Sequence, residues 1–270
     1  MKNIFAKLIT IILMSAWIPM ASAQIIFSAP PRENPAVGQQ IYGPVASYLS
    51  TVIGKPVIYK HPGNWANYKN ALRNDKYDIV FDGPHFVSWR MGYKHHRPLV
   101  TLPGQLSFVV VVRAKQTKYQ KIEDLVGKKV CGFNIPNLAT LTMLKEFSLK
   151  DKPRLIKISS FPDGSKRMRA GKCDAVVMRD KMYYKLDKDD GKTRVVFLSS
   201  ALPNQAFTAS KRLSKSTQRK ITSALVSRRA IVAASKFHKK YTRGKRLIRA
   251  VPTNFEDLDE LLASVPGFGG

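Results

Sequence analysis

Acidic residues are scarce in this chain of 270 residues, which has 18 Asp and Glu against 46 Lys and Arg and a formal net charge of +28. This scarcity disfavours reactions that depend on paired carboxylates. The excess of positive charge attracts anions, so the partner could be an anionic ligand, an anionic envelope component, an acidic protein or nucleic acid. The alternative is a solvated basic surface without a specific partner, because many lysines fall in predicted loops and on polar helix faces.

Catalytic motifs are also missing. The sequence contains no G-x-S-x-G, no H-E-x-x-H and no Walker-type phosphate loop. His85, His95 and His96 are residue types that bind copper or zinc. His95 and His96 are adjacent, however, so that in a helix they point to different sides, and Lys94 and Arg97 flank them with charge that repels a cation. We therefore expect no enzymatic activity, no cofactor and no metal site.

Long apolar runs are absent after the first 23 residues. The N-terminus has Lys2 and Lys7, then the apolar run from Leu8 to Ile18, then Ala21-Ser22-Ala23. This order is typical of a secretory signal peptide, so we predict that residues 1–23 are cleaved and that the protein is exported to the periplasm. The remainder belongs to a chain with 44% hydrophobic residues, which is enough to bury a core.

From Gln24 onward, short apolar runs alternate with amphipathic stretches, which is typical of a parallel sheet covered by helices. Three strand-helix units predict one lobe, and after the strand from Phe108 to Arg113 the same alternation predicts a second. The stretch from Ser214 to Ser235 predicts one long helix, which would pack back on the first lobe. The expected fold class is α/β, with two lobes, two crossover strands and a cleft between the lobes. The predicted boundaries are 24–112 plus 205–270 for lobe 1 and 113–204 for lobe 2.

Several short segments follow one another in a characteristic order. They are Tyr42-Gly43-Pro44, Gly54-Lys55-Pro56-Val57, Tyr77-Asp78-Ile79-Val80 with Gly83-Pro84, Leu125-Val126-Gly127-Lys128-Lys129-Val130 and Ala170-Gly171-Lys172-Cys173-Asp174-Ala175. In this order they resemble the periplasmic phosphate-, phosphite- and phosphonate-binding protein family of ABC importers. The resemblance implies a type II periplasmic binding fold of the Venus-flytrap kind, in which each lobe is a mainly parallel sheet flanked by helices.

In this family, members that hold phosphonate typically carry a Ser-Thr-Ser run where a helix follows the first strand of the second lobe. Here Asn137-Leu138-Ala139 stands at that place. Backbone N–H groups at such a helix start can still bind an oxyanion. The resemblance therefore makes Asn134, Asn137 and Thr140 the ligand-binding candidates of lobe 2. The alternative for Asn137 is a helix N-cap.

The candidates of lobe 1 follow predicted strands. Arg32 comes after the first strand and could direct its guanidinium into the cleft, or it could be an exposed arginine paired with Glu33. Asp82, Gly83 and His85 come after the third strand. Gly83 permits close approach of the backbone, and His85 could donate to an anion or change its charge near neutral pH. Asp82 could bind an amine or hydroxyl group of the ligand, or cap the next helix.

Four further candidates complete the predicted site. Tyr42 and Trp65 could form apolar walls, with packing in the core as the alternative. Arg179 and Asp180 directly follow the strand that ends at Met178, so both are expected at the cleft edge. The alternative for this pair is an ordinary exposed ion pair.

The two cysteines, Cys131 and Cys173, would lie in an oxidising compartment after export. The resemblance places them beside neighbouring strands of lobe 2. This placement favours a disulfide over two buried thiols.

The sequence thus predicts a monomeric periplasmic protein that captures a small anion for the membrane subunits of an ABC importer. The ligand would be a phosphate- or phosphonate-like oxyanion or a related organic anion. One alternative is a ligand sensor that partners a membrane histidine kinase. Others are a metal-binding protein, or a polyanion-binding protein whose basic surface contacts anionic envelope components. A nucleic-acid partner is not expected.

Overall fold

The computed structural model describes residues 24–186 and 191–268. The predicted signal peptide, residues 1–23, lies outside the described residues. In the described part of the chain, no helix combines the length and the apolar character that a membrane span requires.

Lobe 1 is built on a six-stranded sheet. Its strands are β1 (Ile25–Ser28), β2 (Val57–Tyr59), β3 (Ile79–Asp82), β4 (Arg97–Thr101), β12 (Ala206–Ala209) and β13 (Ile248–Arg249). Their spatial order is β13-β4-β12-β3-β1-β2, and β2, β1 and β3 are parallel to one another. The aromatic rings of Phe27, Phe81 and Phe207 meet in the core of this lobe.

Lobe 2 is built on a five-stranded sheet. Its strands are β6 (Phe108–Arg113), β7 (Lys129–Gly132), β8 (Arg154–Lys157), β9 (Ala175–Arg179) and β10 (Thr193–Leu198). Their order is β10-β6-β9-β7-β8, with β9, β7 and β8 parallel. The chain crosses between the lobes twice. At the crossings, β5 (Gln105–Leu106) pairs with β11 (Leu202–Pro203), which confirms the two crossover strands.

The helices cover both sheets. They are α1 (Pro35–Ile53), α2 (Trp65–Arg73), α3 (Pro84–Lys94), α4 (Leu138–Leu144), α5 (Phe161–Arg169), α6 (Asp180–Leu186), α7 (Lys215–Leu225), α8 (Arg228–Ala233) and α9 (Ser235–Tyr241), with 3-10 helices at Ile122–Leu125, Pro252–Phe255 and Leu258–Leu262. Local sequence explains several of their ends. Asn34 caps α1, and Gly54 ends it in the left-handed conformation that glycine adopts without strain. Asn34 and Gly54 therefore define the two ends of the helix in the first strand-helix unit.

One predicted boundary is corrected by the sheet topology. Residues 108–112 were assigned to lobe 1, but β6 lies inside the sheet of lobe 2. It pairs on one side with β10 and on the other with β9. A strand that forms hydrogen bonds on both edges is an integral part of its sheet, so lobe 2 begins at the crossover before Phe108.

The single long helix predicted from Ser214 to Ser235 is also wrong, because this stretch contains α7, α8 and the start of α9. Ser227 interrupts it. The Ser227 hydroxyl accepts a hydrogen bond from the Ala230 N–H at 3.3 Å and donates one to the Ala224 carbonyl at 2.7 Å, so it ends one helix and caps the next. Ala234 then leaves the helical conformation, with φ −118° and ψ 44°.

Candidate functional site

A cavity of about 840 Å³ lies between the two lobes, where the carboxyl ends of their parallel strands face each other. Three neighbouring strands form the wall on lobe 2. Phe133 directly follows β7, Lys157 ends β8 and Arg179 ends β9, and all three residues line the cavity. Because β7 lies between β8 and β9, an aromatic residue is placed between two cations.

The wall on lobe 1 comes from the segments after β1 and β3 and from the start of α2. Four of the candidates from the sequence, Arg32, Trp65, Gly83 and His85, line the cavity. Gln205, which precedes β12, lies beside them. The Nη1 atom of Arg32 donates a hydrogen bond to the Gln205 Oε1 at 3.0 Å. Arg32 is therefore held by a neutral partner and keeps its full charge in the cleft.

Glu33 is the one acidic residue that lines the cavity in the part of the chain that the structure describes. It does not pair with Arg32, as one reading of the sequence had it. Its carboxylate lies 2.5 Å from the Nζ of Lys240, and its side chain is only 7% exposed. The hydroxyl of Tyr241 also donates to this carboxylate at 3.3 Å. Glu33 is thus neutralised locally and does not offset the charge of Arg32, Lys157 and Arg179.

Arg179 contributes a donor to the cleft that no residue in the described part of the chain satisfies. Its Nε is buried and forms no hydrogen bond with any described residue. Burial lowers the pKa of the guanidinium, an effect that the nearby Asp180 only partly opposes. Asp180 itself does not line the cavity; it begins α6, where its carboxylate accepts from the Lys181 N–H at 2.6 Å. A buried guanidinium donor without an acceptor favours the approach of an anion.

His85 joins the two lobes. Its ring is 3% exposed, and its Nε2–H donates to the backbone carbonyl of Pro136 in lobe 2 at 3.1 Å. Burial lowers the pKa of His85 to about 4, although Asp82 and the Pro136 carbonyl oppose the shift. The imidazole is therefore neutral at pH 7. This corrects the expectation that His85 changes charge near neutral pH, and its one N–H is already engaged by Pro136.

The stability of the protein should depend on this histidine as the pH falls. The pKa of His85 is about 4 in the folded protein and 6.5 at its ordinary value. Between these two pH values the imidazole is therefore protonated in the unfolded chain and neutral in the folded protein. Above about pH 6.5 this histidine does not lower the free energy of unfolding. As the pH falls from about 6.5 toward 4, protonation of the unfolded chain lowers the free energy of unfolding by up to about 3 kcal/mol. We expect urea unfolding to show that the stability difference between the wild type and His85→Gln narrows by roughly 2–3 kcal/mol between about pH 7.5 and about pH 4.5. A difference that does not vary with pH would contradict the assignment.

Asp82 does not reach the cleft, and this expectation is corrected. It is fully buried behind the wall of lobe 1 and faces Arg90 of α3. Its two carboxylate oxygens accept from Arg90 Nη1 at 2.6 Å and from Nη2 at 2.8 Å. The hydroxyl of Tyr68 donates to the same carboxylate. Asp82 does not cap α3 either, because Gly83 is the N-cap residue.

Two other candidates support the site from behind. Tyr42 is fully buried and does not line the cavity; its hydroxyl lies 2.5 Å from that of Tyr241, which does. Thr140 is also buried, and its hydroxyl donates to the carbonyl of Phe133 at 2.6 Å. Both expectations of direct ligand contact are therefore corrected. The side chains that Tyr42 and Thr140 hold in place are the ones exposed to the cleft.

The loop before α4 lines the cavity, as predicted for Asn134 and Asn137. The side chain of Asn137 accepts a hydrogen bond from the Ala139 N–H at 3.0 Å. Asn137 is therefore an N-cap residue as well as a lining residue. Its side-chain oxygen already accepts one hydrogen bond within the helix, so the amide N–H groups are the donors that remain for a ligand.

The sequence did not identify several lining residues: Phe133, Lys157, Phe161, Gln205, Lys240 and Tyr241. A signal existed for two of them, because Phe133 and Lys157 stand at the ends of strands that were predicted. Tyr241 and Lys240 gave no such signal. They lie on α9, more than 200 residues from Glu33 in sequence, and only the return of the C-terminal helices to lobe 1 brings them to the cleft.

The structure pairs Cys131 of β7 with Cys173 in a disulfide, with 5.8 Å between the two Cα atoms. Among the described residues, no group of three or more His, Cys, Asp or Glu side chains is arranged to hold a metal ion. His96 is instead buried between the Asp75 carboxylate, at 2.9 Å, and the Thr208 hydroxyl, at 3.2 Å.

The chain matches a known protein family over most of its length. A family model described as "ABC transporter, phosphonate, periplasmic substrate-binding protein" matches residues 27–252. No curated protein sequence matches the chain significantly.

Solved structures of low sequence identity share the fold. One is XAC2383 from Xanthomonas citri bound to ATP, with 13% identity, a TM-score of 0.66 and coverage of 92% of this chain and 97% of that chain. Another is PhnD1 from Prochlorococcus marinus in complex with methylphosphonate, with 13% identity, a TM-score of 0.66 and coverage of 90% and 98%. A third is a binding protein component of an ABC phosphonate transporter from Pseudomonas aeruginosa, with 12% identity, a TM-score of 0.59 and coverage of 89% and 85%.

Proposed function

Since the chain belongs to the family of periplasmic substrate-binding proteins of phosphonate ABC transporters, we propose that it captures a small anion between its lobes and delivers it to the membrane subunits of an importer. Proteins of this family bind substrates and are not enzymes. The N-terminal segment, with its lysines, apolar run and Ala21-Ser22-Ala23, supports export to the periplasm through a cleavable signal peptide.

The unbalanced charge of the cleft carries the proposal. Arg32 contributes a cation from lobe 1, and Lys157 and Arg179 contribute two from lobe 2. The single lining carboxylate, Glu33, is already paired with Lys240. Among the residues that the structure describes, these three cations have no acidic partner, and cations held by two low-dielectric walls focus a positive potential on the space between them. An anion is the ligand that this potential favours, and it would join the two lobes on closure.

Thermal unfolding of the purified protein tests the proposal. A ligand that binds only the folded state stabilises it by RT ln(1 + [L]/Kd), so the melting temperature rises with the logarithm of the ligand concentration once that concentration exceeds Kd. We expect phosphate, methylphosphonate, phenylphosphonate or succinate to raise the melting temperature at constant ionic strength. Choline and Zn²⁺ should not. If none of these anions stabilises the protein, the proposed function is wrong.

Arg179→Gln separates the cleft from the general positive charge of the protein. The variant removes a charge-assisted hydrogen bond of about 1.5–3 kcal/mol, so anion affinity should fall about 10- to 100-fold by calorimetry. Arg73→Gln is the matched control, because Arg73 is exposed on α2, does not line the cleft and loses the same charge. An equal loss of affinity in both variants would mean that anions bind to the surface at large.

A further inference from the structure

Aromatic side chains line the cleft on both lobes. On lobe 2, the rings of Phe133 and Phe161 pack edge to face with 5.1 Å between their centroids. On lobe 1, Trp65 stacks on Phe86 with 6.3 Å between centroids and 24° between planes. Phe133 and Phe161 are half-buried, and Trp65 is 39% exposed. These three rings therefore keep surface that faces the cavity.

The shape of the cavity extends this apolar surface. A second cavity of about 270 Å³ shares Trp65, Phe86, Ile135 and Pro136 with the main one, and Phe268 also lines it. The main cavity has a volume of about 840 Å³. Cavities of roughly 300–1,000 Å³ with apolar walls and a few convergent polar groups hold organic molecules of drug size. An inorganic oxyanion would use the cations and leave the aromatic surface without a partner.

The order of the strands in lobe 2 places the aromatic ring of Phe133 close to the cations of Lys157 and Arg179. Phe133 follows the strand that lies between the strands ending in Lys157 and Arg179. An anionic group bound by these two cations would therefore lie next to the face or edge of an aromatic ring. A ligand that uses both must carry its anionic group close to a flat apolar group.

We propose that the ligand is an organic anion in which a planar apolar group, such as an aryl ring, is attached near the anionic group. The anionic group lies at Lys157 and Arg179, and the ring lies between Phe133 with Phe161 on one lobe and Trp65 on the other. This inference rests on the proposed function, because it specifies the substrate class of the same cleft. It adds a chemical requirement that charge alone does not impose.

A matched series of ligands tests the inference by titration calorimetry. Phenylphosphonate and methylphosphonate share the same anionic group and differ in the ring. We expect phenylphosphonate to bind about 10-fold more tightly than methylphosphonate or phosphate, because contacts with rings on both lobes add to the charge interaction. Benzyl alcohol, which has the ring without the charge, should not bind measurably.

Phe161→Leu assigns the preference to the cleft. The leucine keeps an apolar side chain but removes one of the three rings, so the preference for phenylphosphonate over methylphosphonate should shrink from about 10-fold to about 3-fold, while methylphosphonate affinity stays unchanged. Phe147→Leu is the control, because Phe147 is a half-buried phenylalanine of lobe 2 that does not line the cleft. The Phe147→Leu variant should prefer phenylphosphonate over methylphosphonate to the same extent as the wild type.

The outcomes distinguish the two claims. If methylphosphonate or phosphate binds as tightly as phenylphosphonate, or if Phe161→Leu weakens both phosphonates equally, the ligand class proposed here is overturned and anion capture stands. If succinate alone binds, the ligand class is overturned and anion capture stands; if neither succinate nor any of the three other anions binds, anion capture itself is overturned.

Discussion

Replacing Arg90 with methionine is expected to lower the free energy of unfolding by about 3–5 kcal/mol, since it leaves a buried carboxylate without its counter-charge. Arg90 and Asp82 are 1% and 0% exposed and are joined by two hydrogen bonds. Arg90 also donates to the Thr208 hydroxyl at 3.0 and 3.2 Å, which ties α3 to β12. Urea unfolding measures the effect.

A double variant sharpens this test. Asp82→Leu combined with Arg90→Met removes both charges together, and replacing a buried pair by apolar side chains is often close to neutral. We expect the double variant to recover more than half of the stability that Arg90→Met loses, with the hydroxyl of Tyr68 left without its acceptor as the main remaining cost. Arg73→Met, on the exposed face of α2, should change stability by less than about 0.5 kcal/mol. An Arg90→Met variant as stable as this control would show that the pair contributes nothing.

For Asp82, the sequence predicted the position along the chain but not the partner of its carboxylate. Its place directly after a strand was predicted within one residue, but its partner lies on α3, a helix whose extent and buried faces the sequence did not give. From Pro84 to Arg90 every residue of α3 is buried. A helix buried on all sides has no polar face, so the periodic pattern that marks a surface helix is missing. Without the bounds and the orientation of α3, nothing in the sequence indicated that the Arg90 side chain would contact Asp82.

The same contrast applies to the cleft. Arg32, Gly83 and Arg179 were predicted because each follows or ends a strand, and the carboxyl ends of parallel strands meet at one edge. That rule gives position along the chain and not the direction of a side chain. Thr140 was a candidate because it lies near a helix start, and that criterion also left the direction of its side chain open: its hydroxyl donates to the Phe133 carbonyl.

The long-range partners lay beyond any local rule. Glu33 meets Lys240 because three helices, α7 to α9, return the chain to lobe 1. The sequence predicted one helix in that stretch, and a single straight helix would carry Lys240 to a different place. The breaks at Ser227 and Ala234 depend on local hydrogen bonds and backbone angles that apolar periodicity does not report.

The second large effect concerns the disulfide between Cys131 and Cys173. It links residues 42 positions apart, and closing a loop of that length in the unfolded chain corresponds to about 4 kcal/mol of stability in the chain-entropy description. Both cysteines are buried, in a core that also contains Met168 and Val176. Alanine is the suitable replacement for both, because serine would bury two hydroxyl groups without assured partners.

We expect Cys131→Ala/Cys173→Ala to lose about 4 kcal/mol in urea unfolding, and the wild type to lose a similar amount in a strong reductant. The double variant should not respond to the reductant, which separates loss of the cross-link from any other action of the reagent. The link has a place in the function as well. Cys131 stands two residues before Phe133, and Cys173 stands two residues before β9, the strand that carries Arg179 to the cleft. The disulfide therefore joins β7 to the segment that leads into β9, the two strands after and at whose ends the ring and the cation of the proposed site lie. Equal stability of the wild type with and without reductant would mean that the pairing does not form.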